Sequence, residues 1–147
     1  MTLKKALLFG LIFFALVAAY VWFFVYNKDH QNIEKTKAKY KVSAIDLVTE
    51  FENGHDSAWK KYNEQVLDVN GTVSSIIPND SISSIVFKVN DNYEIYFEVY
   101  PHHNETAKQL KANDAITIHG QFTGAEKPDT DFELSGLLRL KKCSISK

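Results

Sequence analysis

Cysteine is nearly absent from this chain, with Cys143 the single example in 147 residues. One thiol cannot form an internal disulfide, and it supplies neither a thiol pair nor a set of zinc ligands. Also missing are a Gly-Xaa-Ser-Xaa-Gly nucleophile elbow, a His-Glu-Xaa-Xaa-His helix and a glycine-rich phosphate loop. Because catalysis needs an activated nucleophile, a paired acid and base, or a metal, the sequence predicts a protein that is not an enzyme and needs no cofactor.

Positive charge is scarce in the larger, C-terminal part of the chain. Residues 42–147 contain ten Lys and Arg against sixteen Asp and Glu, a balance of −6 within a total of −1. Most nonspecific affinity for nucleic acid comes from positive charge that neutralises phosphates. The acidic balance therefore disfavours nucleic acid as a partner of this part of the chain.

Apolar sequence is abundant at the N-terminus, where residues 6–26 form a run of 21 without a charge. As a helix rising about 1.5 Å per residue, this run would span roughly 30 Å, the thickness of the hydrocarbon core of a bilayer. A cleavable signal peptide is the alternative, because Lys4 and Lys5 form a basic start and residues 17–19 offer a small-residue cleavage site. Cleavage there would leave an exposed aromatic start, so we interpret residues 1–26 as a single-pass signal-anchor whose partner is the lipid bilayer.

The lysines around this predicted helix give two answers about its orientation. Two Lys precede it and five follow it within about 15 residues, which favours a cytoplasmic domain. The immediate flanks favour the opposite, because Lys4 and Lys5 precede the helix while Lys28 is offset by Asp29, and long domains cross a membrane with little regard to their charge. We expect the domain to lie outside the cytoplasm, with the cytoplasmic face as the alternative.

Two regions follow the anchor. Residues 27–41 are polar and rich in lysine and show no apolar periodicity, which is typical of a tether. Residues 42–147 are predicted to form one domain that opens with two helices. Ser43 is the expected N-cap of the first, which ends at Asn53-Gly54, and the second is expected from Asp56 to Tyr62.

From Gln65 onward the apolar period changes to two, which is typical of strands. Five strands are predicted, at residues 65–76, 85–89, 93–100, 116–124 and 132–145, with a short helix at 102–114 between the third and fourth. The doubled Leu137-Leu138 suggests a register irregularity in the last strand. This order predicts a mainly β, α+β protein in which an N-terminal transmembrane helix precedes a five-stranded Greek-key barrel of the OB type.

Several positions from the first helix into the first strand have the spacing of a known family. They are Leu47, Phe51, Ala58, Tyr62, Val66, Val69, Gly71, Thr72 and Val73, together with Cys143 in the last strand and, more loosely, Asn27, Lys28, Asp29 and His30, where members commonly read Asn-Lys-Pro-His. Over nearly its whole length the chain resembles the tRNA_anti-like OB-fold proteins, found in many bacteria as a membrane helix, a tether and one OB domain. The resemblance implies an OB fold and an N-terminal membrane anchor. The family name reflects a likeness to the anticodon-binding domain of aminoacyl-tRNA synthetases and implies no tRNA activity, so function stays open.

OB folds hold single strands on the outward face of their second and third strands, with aromatic rings for stacking and basic groups for phosphates. By the alternation of the third strand, Tyr96 and Tyr100 point outward beside Lys88 of the second, and these three are the candidate ligand-binding residues. Glu94 and Glu98 flank the rings and would repel a phosphate backbone. The face therefore suits an unknown protein, peptide or glycan better than nucleic acid, and a plain solvated sheet face is the alternative.

Other polar residues are interpreted as surface groups rather than as metal ligands. His102 and His103 are predicted to lie in a surface turn and not in a metal site. The side chains of adjacent residues point to opposite sides, and the nearest acidic residue in sequence, Glu105, would have to curl back to join them. His119 is predicted to be exposed on the outward face of the fourth strand. A charged loop, which lacks the glycine and the further ligands of a calcium site, contains Asp129, Asp131 and Glu133.

These features predict a membrane-tethered OB-fold module that binds an unknown ligand and faces the cell envelope, in the periplasm. The alternative is an OB domain on the cytoplasmic face that binds tRNA or another single-stranded nucleic acid. Membrane topology distinguishes the two, because a domain outside the cell meets no tRNA.

Overall fold

The structure, a computed structural model, describes residues 3–24 and 32–146. The chain divides into two compact units, Met1–Asn32 and Ile33–Lys147. Four residues that the family resemblance uses lie outside the described residues, namely Asn27, Lys28, Asp29 and His30.

The first unit contains helix α1, Leu3–Phe24. Its 18-residue stretch Leu7–Phe24 is long and apolar enough to cross a membrane, and none of that stretch is buried. A signal sequence near the N-terminus has the same properties. The apolar helix predicted at about residues 6–26 is therefore present, with residues 25 and 26 outside the described part of the chain.

The second unit is a mixed α+β domain. Its strands are β1 (Tyr40–Ser43), β2 (Val66–Thr72), β3 (Ser75–Ile77), β4 (Ser84–Lys88), β5 (Tyr93–Val99), β6 (Ala115–Glu126) and β7 (Gly136–Ser146). Its helices are α2 (Ala44–Asn53), α3 (His55–Tyr62) and α4 (Asn104–Lys108), with 3₁₀ turns at Ile33–Lys35 and Pro101–His103. Ser43 caps α2 as predicted, since its Oγ accepts a hydrogen bond from the Asp46 amide at 3.0 Å.

All seven strands belong to one open sheet with the order β1-β2-β6-β7-β5-β4-β3. The prediction of a closed five-stranded barrel is therefore wrong. Both edges of β2 are occupied, because β1 pairs with one edge in parallel, from Tyr40 opposite Leu67 to Ser43 opposite Asn70, and β6 pairs with the other. The pairing with β4 that would close a barrel is made instead by β3, a separate strand beyond a break in the predicted first strand.

The predicted first strand is interrupted at Val73 and Ser74, which separate β2 from β3. After this break the chain continues as β3, which is the last strand in the sheet order. The Ser74 amide donates to the Val86 carbonyl of β4 at 2.8 Å. The two ends of the sheet therefore approach each other. Gly71 permits this approach, because a Cβ at that position would lie 2.8 Å from the ring of Phe87.

Residues 33–41, which the sequence places in the tether, belong to the second unit. Ile33 is only 2% exposed, the Lys39 amide donates to the Val66 carbonyl at 2.8 Å, and Tyr40 begins β1. The difference has a simple cause. One buried isoleucine and a four-residue strand produce no apolar period that a sequence pattern could reveal.

The core of the domain contains an aromatic cluster in which α2 and α3 pack on β6. The fully buried ring of Phe122 lies 5.5 Å from the ring of Phe51, 6.0 Å from Trp59 and 6.3 Å from Tyr62, measured between centroids. Trp59 is partly buried against the core. Such ring pairs add about 0.5–1.5 kcal/mol each to the free energy gained from burial alone.

The register irregularities of the last strand lie not at Leu137-Leu138 but at Lys142 and, in the pairing with β6, between Phe122 and Gly124. Both leucines continue the regular parallel pairing with β5, whereas β7 contains one residue more than β5 between Leu140 and Cys143. Lys142 has a φ of 53°, in the left-handed region that bulge residues adopt. The bulge in β7 therefore lies at the lysine pair Lys141-Lys142 and not at the doubled leucine.

Cys143 lies in the interior beside this bulge. It is 0% exposed, and its Sγ is so close to Gly120 that a Cβ added to the glycine would lie 2.5 Å from the sulfur. Burial, with a smaller contribution from Glu98, raises the pKa of the thiol well above its ordinary value. A neutral thiol without solvent access is unreactive.

We expect Cys143 in the folded protein to react with dithionitrobenzoate at least on the order of 10³-fold more slowly than a cysteine introduced by Ser75→Cys. The reason is that Cys143 becomes accessible only when the domain unfolds, which costs about 5 kcal/mol or more. Ser75 is exposed in β3, so the variant carries its own fast-reacting reference thiol. Both thiols should react at similar rates in denaturant. Two equally fast thiols in the native protein would contradict the burial of Cys143.

Candidate ligand-binding face

Strand β5 alternates between core and surface as its sequence predicts. Its buried side chains are Tyr93, Ile95, Phe97 and Val99, and its half-buried outward ones are Glu94, Tyr96 and Glu98. The register places Tyr96 between Val86 of β4 and Arg139 of β7. The outer face therefore carries one aromatic ring among side chains of both charges.

The three residues predicted to bind a ligand are spread along this face. Lys88 is exposed at the end of β4 with its Nζ 3.6 Å from Asp91, Tyr96 lies in the middle of β5, and the ring of Tyr100 stacks on His102 at 5.2 Å beyond β5. In the part of the chain that the structure describes, Tyr96 and Lys88 line two separate grooves. Lys88 and Tyr96 therefore do not share one groove.

Tyr96 lies in a groove of about 580 Å³ between β5 and the loop that joins β6 to β7. The charged residues of its lining are Glu94, Glu126, Lys127, Asp129 and Glu133. Four carboxylates thus face one ammonium group, and we call this site the acidic groove. A concave surface of one charge attracts ligands of the opposite charge and repels those of its own.

The phenol of Tyr96 is a hydrogen-bond donor inside the acidic groove. It donates to Oε2 of Glu94 at 3.2 Å. Burial first, and the Glu94 carboxylate second, raise the pKa of Tyr96, while Arg139 acts in the opposite direction. Arg139 itself lies with Nη2 3.4 Å from Oε1 of Glu126. One of the four carboxylates is therefore already paired, and the groove keeps an excess of negative charge.

The loop between β6 and β7 presents apolar side chains to solvent, which sequence reasoning missed. Phe132 is 75% exposed and Leu134 is 62% exposed. The loop is ordered by mutual backbone hydrogen bonds of 2.9 Å between Asp129 and Leu134, and by an Asp129 carboxylate that accepts from the Asp131 amide at 3.0 Å. Exposed aromatic rings on a fixed loop are typical of contact sites. Its sequence signal is a phenylalanine between two acidic residues.

The prediction that His119 is exposed is wrong. Its side chain is 17% exposed, with Nδ1 2.6 Å from Oδ1 of Asp68 and Nε2 2.8 Å from the carbonyl oxygen of Ile33. The parity of β6 does place it opposite the core, but the segment at Ile33 covers it. Ile33 lies 86 residues from His119 in the sequence, so a local pattern could not indicate this contact.

His102 and His103 share an acidic partner that the sequence did not indicate. Oε2 of Glu34 lies 3.1 Å from Nε2 of His102, and Oε1 lies 2.8 Å from Nε2 of His103. The two rings converge because residues 101–103 form a 3₁₀ turn rather than an extended segment. Hydrogen bonds from His103 and then His102 hold the pKa of the Glu34 carboxyl below its usual value. Within the described residues, these three side chains form the set suited to a metal ion.

Comparisons with known proteins agree with this architecture. The model of the family described as tRNA_anti-like matches residues 1–131. Among solved structures, a protein described as a nucleic acid-binding lipoprotein from Klebsiella pneumoniae subsp. pneumoniae MGH 78578 superposes with a TM-score of 0.52 and 16% identity, over 73% of this chain and 91% of that one. An aspartyl-tRNA synthetase from Leishmania major Friedlin gives a TM-score of 0.48 and 12% identity, over 76% of this chain and 22% of that one. Curated proteins give no significant match.

Proposed function

This chain belongs to the tRNA_anti-like family, and from that premise we propose that it is a non-catalytic binding module tethered to a membrane. Residues 1–26 anchor it in the bilayer, a short basic segment follows, and the OB-type domain faces the cell envelope outside the cytoplasm. Its ligand is a positively charged polypeptide segment held in the acidic groove beside Tyr96.

The charge of the acidic groove is the observation that supports this ligand. Its four carboxylates outnumber its one lysine, so lysine and arginine side chains are attracted while phosphates are repelled. The half-buried ring of Tyr96 and the exposed side chain of Leu134, which both line the groove, add apolar contact surface, and tyrosine is enriched among the residues that dominate the binding energy of interfaces. A peptide chain offers cationic and apolar groups together, as this combination requires.

One observation supports the membrane anchor and another supports the envelope location. Helix α1 has the length and the apolar composition to cross a membrane, and the Klebsiella protein of similar fold is described as a lipoprotein. The acidic balance of residues 42–147, ten basic against sixteen acidic side chains, agrees with a role away from nucleic acid.

A second candidate function is nucleic-acid binding on the cytoplasmic face. The observation that favours it is the description of the Klebsiella protein as nucleic acid-binding, and Tyr96 supplies one ring for base stacking. The same surface opposes it, because single-strand sites combine such rings with cationic grooves. Here the groove around Tyr96 is acidic.

A direct binding comparison tests the proposal. The full chain in detergent micelles is titrated into a fluorescein-labelled lysine-rich peptide and, separately, into labelled oligothymidylate, with fluorescence anisotropy as the measurement. We expect the peptide to bind more tightly. The double variant Glu94→Gln, Glu133→Gln should weaken peptide binding about 5- to 30-fold, because each exposed ion pair contributes about 0.5–1 kcal/mol.

The matched control is the double variant Asp56→Asn, Glu105→Gln, which removes the same charge at exposed positions that do not line the acidic groove. It should leave peptide affinity unchanged. Tighter binding of oligothymidylate would favour the second candidate. Equal losses in the two double variants would mean that net charge, and not the groove, attracts the peptide.

A further inference from the structure

A glutamate and two histidines from distant parts of the domain converge at one point on its surface. Glu34 lies in the first 3₁₀ turn, His102 and His103 lie in the second, and one ligand atom from each residue falls within 4.8 Å of the others. The carboxylate-to-imidazole distances are 3.1 and 2.8 Å. Nothing in the proposed peptide site uses these three residues, which lie outside the lining of the acidic groove.

One carboxylate oxygen, Oε1 of Glu34, lies 3.2 Å from Nε2 of His102 and 2.8 Å from Nε2 of His103, slightly shorter than the separations that a tetrahedral ion requires. With bonds of about 2.0–2.1 Å to nitrogen and oxygen, tetrahedral Zn²⁺ places its ligand atoms about 3.4 Å from one another. Shifts of a few tenths of an ångström would therefore open the two shorter contacts around an ion. Two imidazoles and one carboxylate are ligands that Zn²⁺ binds readily and that the harder Mg²⁺ and Ca²⁺ do not select.

The surrounding contacts hold the ligands in place. The ring of His102 stacks on Tyr100 at 5.2 Å, and the His103 amide donates to the Tyr100 carbonyl at 2.9 Å. On the opposite side, Ile33 is buried and its carbonyl lies 2.8 Å from Nε2 of His119. Preorganisation of this kind reduces the cost of ordering ligands around a metal.

We propose that Glu34, His102 and His103 bind one Zn²⁺ ion, with water in the fourth position. The ion fixes the turn Ile33–Lys35 on the body of the domain. This turn begins nine residues after the end of α1 at Phe24, so the metal secures the point where the chain enters the folded domain. The inference does not depend on the peptide ligand or on the orientation of the membrane anchor.

Zinc titration of the full chain, without a histidine tag and in detergent micelles, tests the site. Isothermal calorimetry should give one Zn²⁺ per chain and no binding of Mg²⁺ or Ca²⁺ at the same concentration. Glu34→Gln should weaken the affinity for Zn²⁺ at least about tenfold, since even changes to residues that hold the ligands in place lower metal affinity by about 10–100-fold. The double variant His102→Ala, His103→Ala should abolish binding.

Two control variants match these changes outside the cluster. Glu105→Gln removes the acidic residue nearest to the histidines in sequence, and His55→Gln removes a partly buried histidine at the start of α3. Both should bind Zn²⁺ as the wild type does. Binding that survives in the double histidine variant, or that is lost in His55→Gln, would overturn the site. No binding to the wild type would show that the three side chains form an ion pair only.

Hydrogen exchange tests the role of the ion independently of its affinity. The Thr36 amide donates to the Ile33 carbonyl at 3.0 Å, so its exchange reports opening of the turn. If opening destroys the site, saturating Zn²⁺ at 100 times its Kd should slow this exchange about 100-fold, and Glu34→Gln should remove most of the protection. Stoichiometric binding without any slowing would overturn the proposal that the metal secures the turn.

Discussion

Replacement of Phe122 by alanine should lower the free energy of unfolding by about 3–5 kcal/mol, a large share of the 5–15 kcal/mol typical of a domain. The fully buried ring contacts Phe51, Trp59 and Tyr62 from two helices. Its removal therefore leaves a cavity between α2, α3 and β6 that these rigid neighbours cannot fill. Urea or guanidinium unfolding, followed by tryptophan fluorescence, measures the change.

Phe132→Ala is the matched control, because it removes the same ring from a position that is 75% exposed. Its effect on unfolding should stay within about 0.5 kcal/mol. Similar stability losses for the two phenylalanines would contradict the packing described for Phe122.

The second large effect concerns membrane topology. Alkaline phosphatase fused after Lys147 should be active in a bacterial host, and green fluorescent protein fused at the same point should be dark. The reason is the basic start at Lys4 and Lys5, which favours retention of the N-terminus in the cytoplasm and export of the chain beyond the helix. The difference between fusions is close to all or none, because phosphatase needs the oxidising periplasm for its disulfides.

The control is the same pair of fusions without residues 1–26, which should give inactive phosphatase and bright fluorescence. Carbonate extraction of the active phosphatase fusion then distinguishes a retained anchor from a cleaved signal peptide, since only the anchor stays with the membrane. Bright fluorescence in the full-length fusion would place the domain in the cytoplasm. It would also make RNA the first ligand to test despite the acidic groove.

Local patterns in the sequence predicted the elements that depend on local physics. The helices α2 and α3 followed from the cap at Ser43 and the apolar period, and the inward and outward sides of β5 followed from strict alternation around Tyr96. In each case the burial of one face is determined by neighbouring residues. The family resemblance extended this success to the general OB-type architecture, which the family match over residues 1–131 confirms.

Features created by distant segments could not be predicted in this way. Strand β1 is only four residues long and owes its place to pairing with β2. Glu34 meets His102 across 68 residues, and Ile33 covers His119 across 86. A single sequence contains no pattern that links such pairs, because their contact is decided by how the whole sheet curls.

The candidate site was predicted only in part for the same reason. Tyr96 was placed on the correct face because its orientation depends on strand parity alone. The acidic groove around it also needs Asp129 and Glu133 from a loop whose course is set by its own backbone hydrogen bonds. Lys88 and Tyr100 do not line this groove.

The position of β7 in the sheet determines when this domain can fold during synthesis. β7 lies between β6 and β5 and is the last strand made among those described, so no strand pairing joins β1-β2-β6 to β5-β4-β3 until it emerges. At about 5–20 residues per second, roughly 2–9 s separate the synthesis of Val99 from that of Ser146. A nascent chain passes an export channel only while unfolded. Late completion of the sheet would thus keep the domain competent for translocation for most of the time that the ribosome needs to make it.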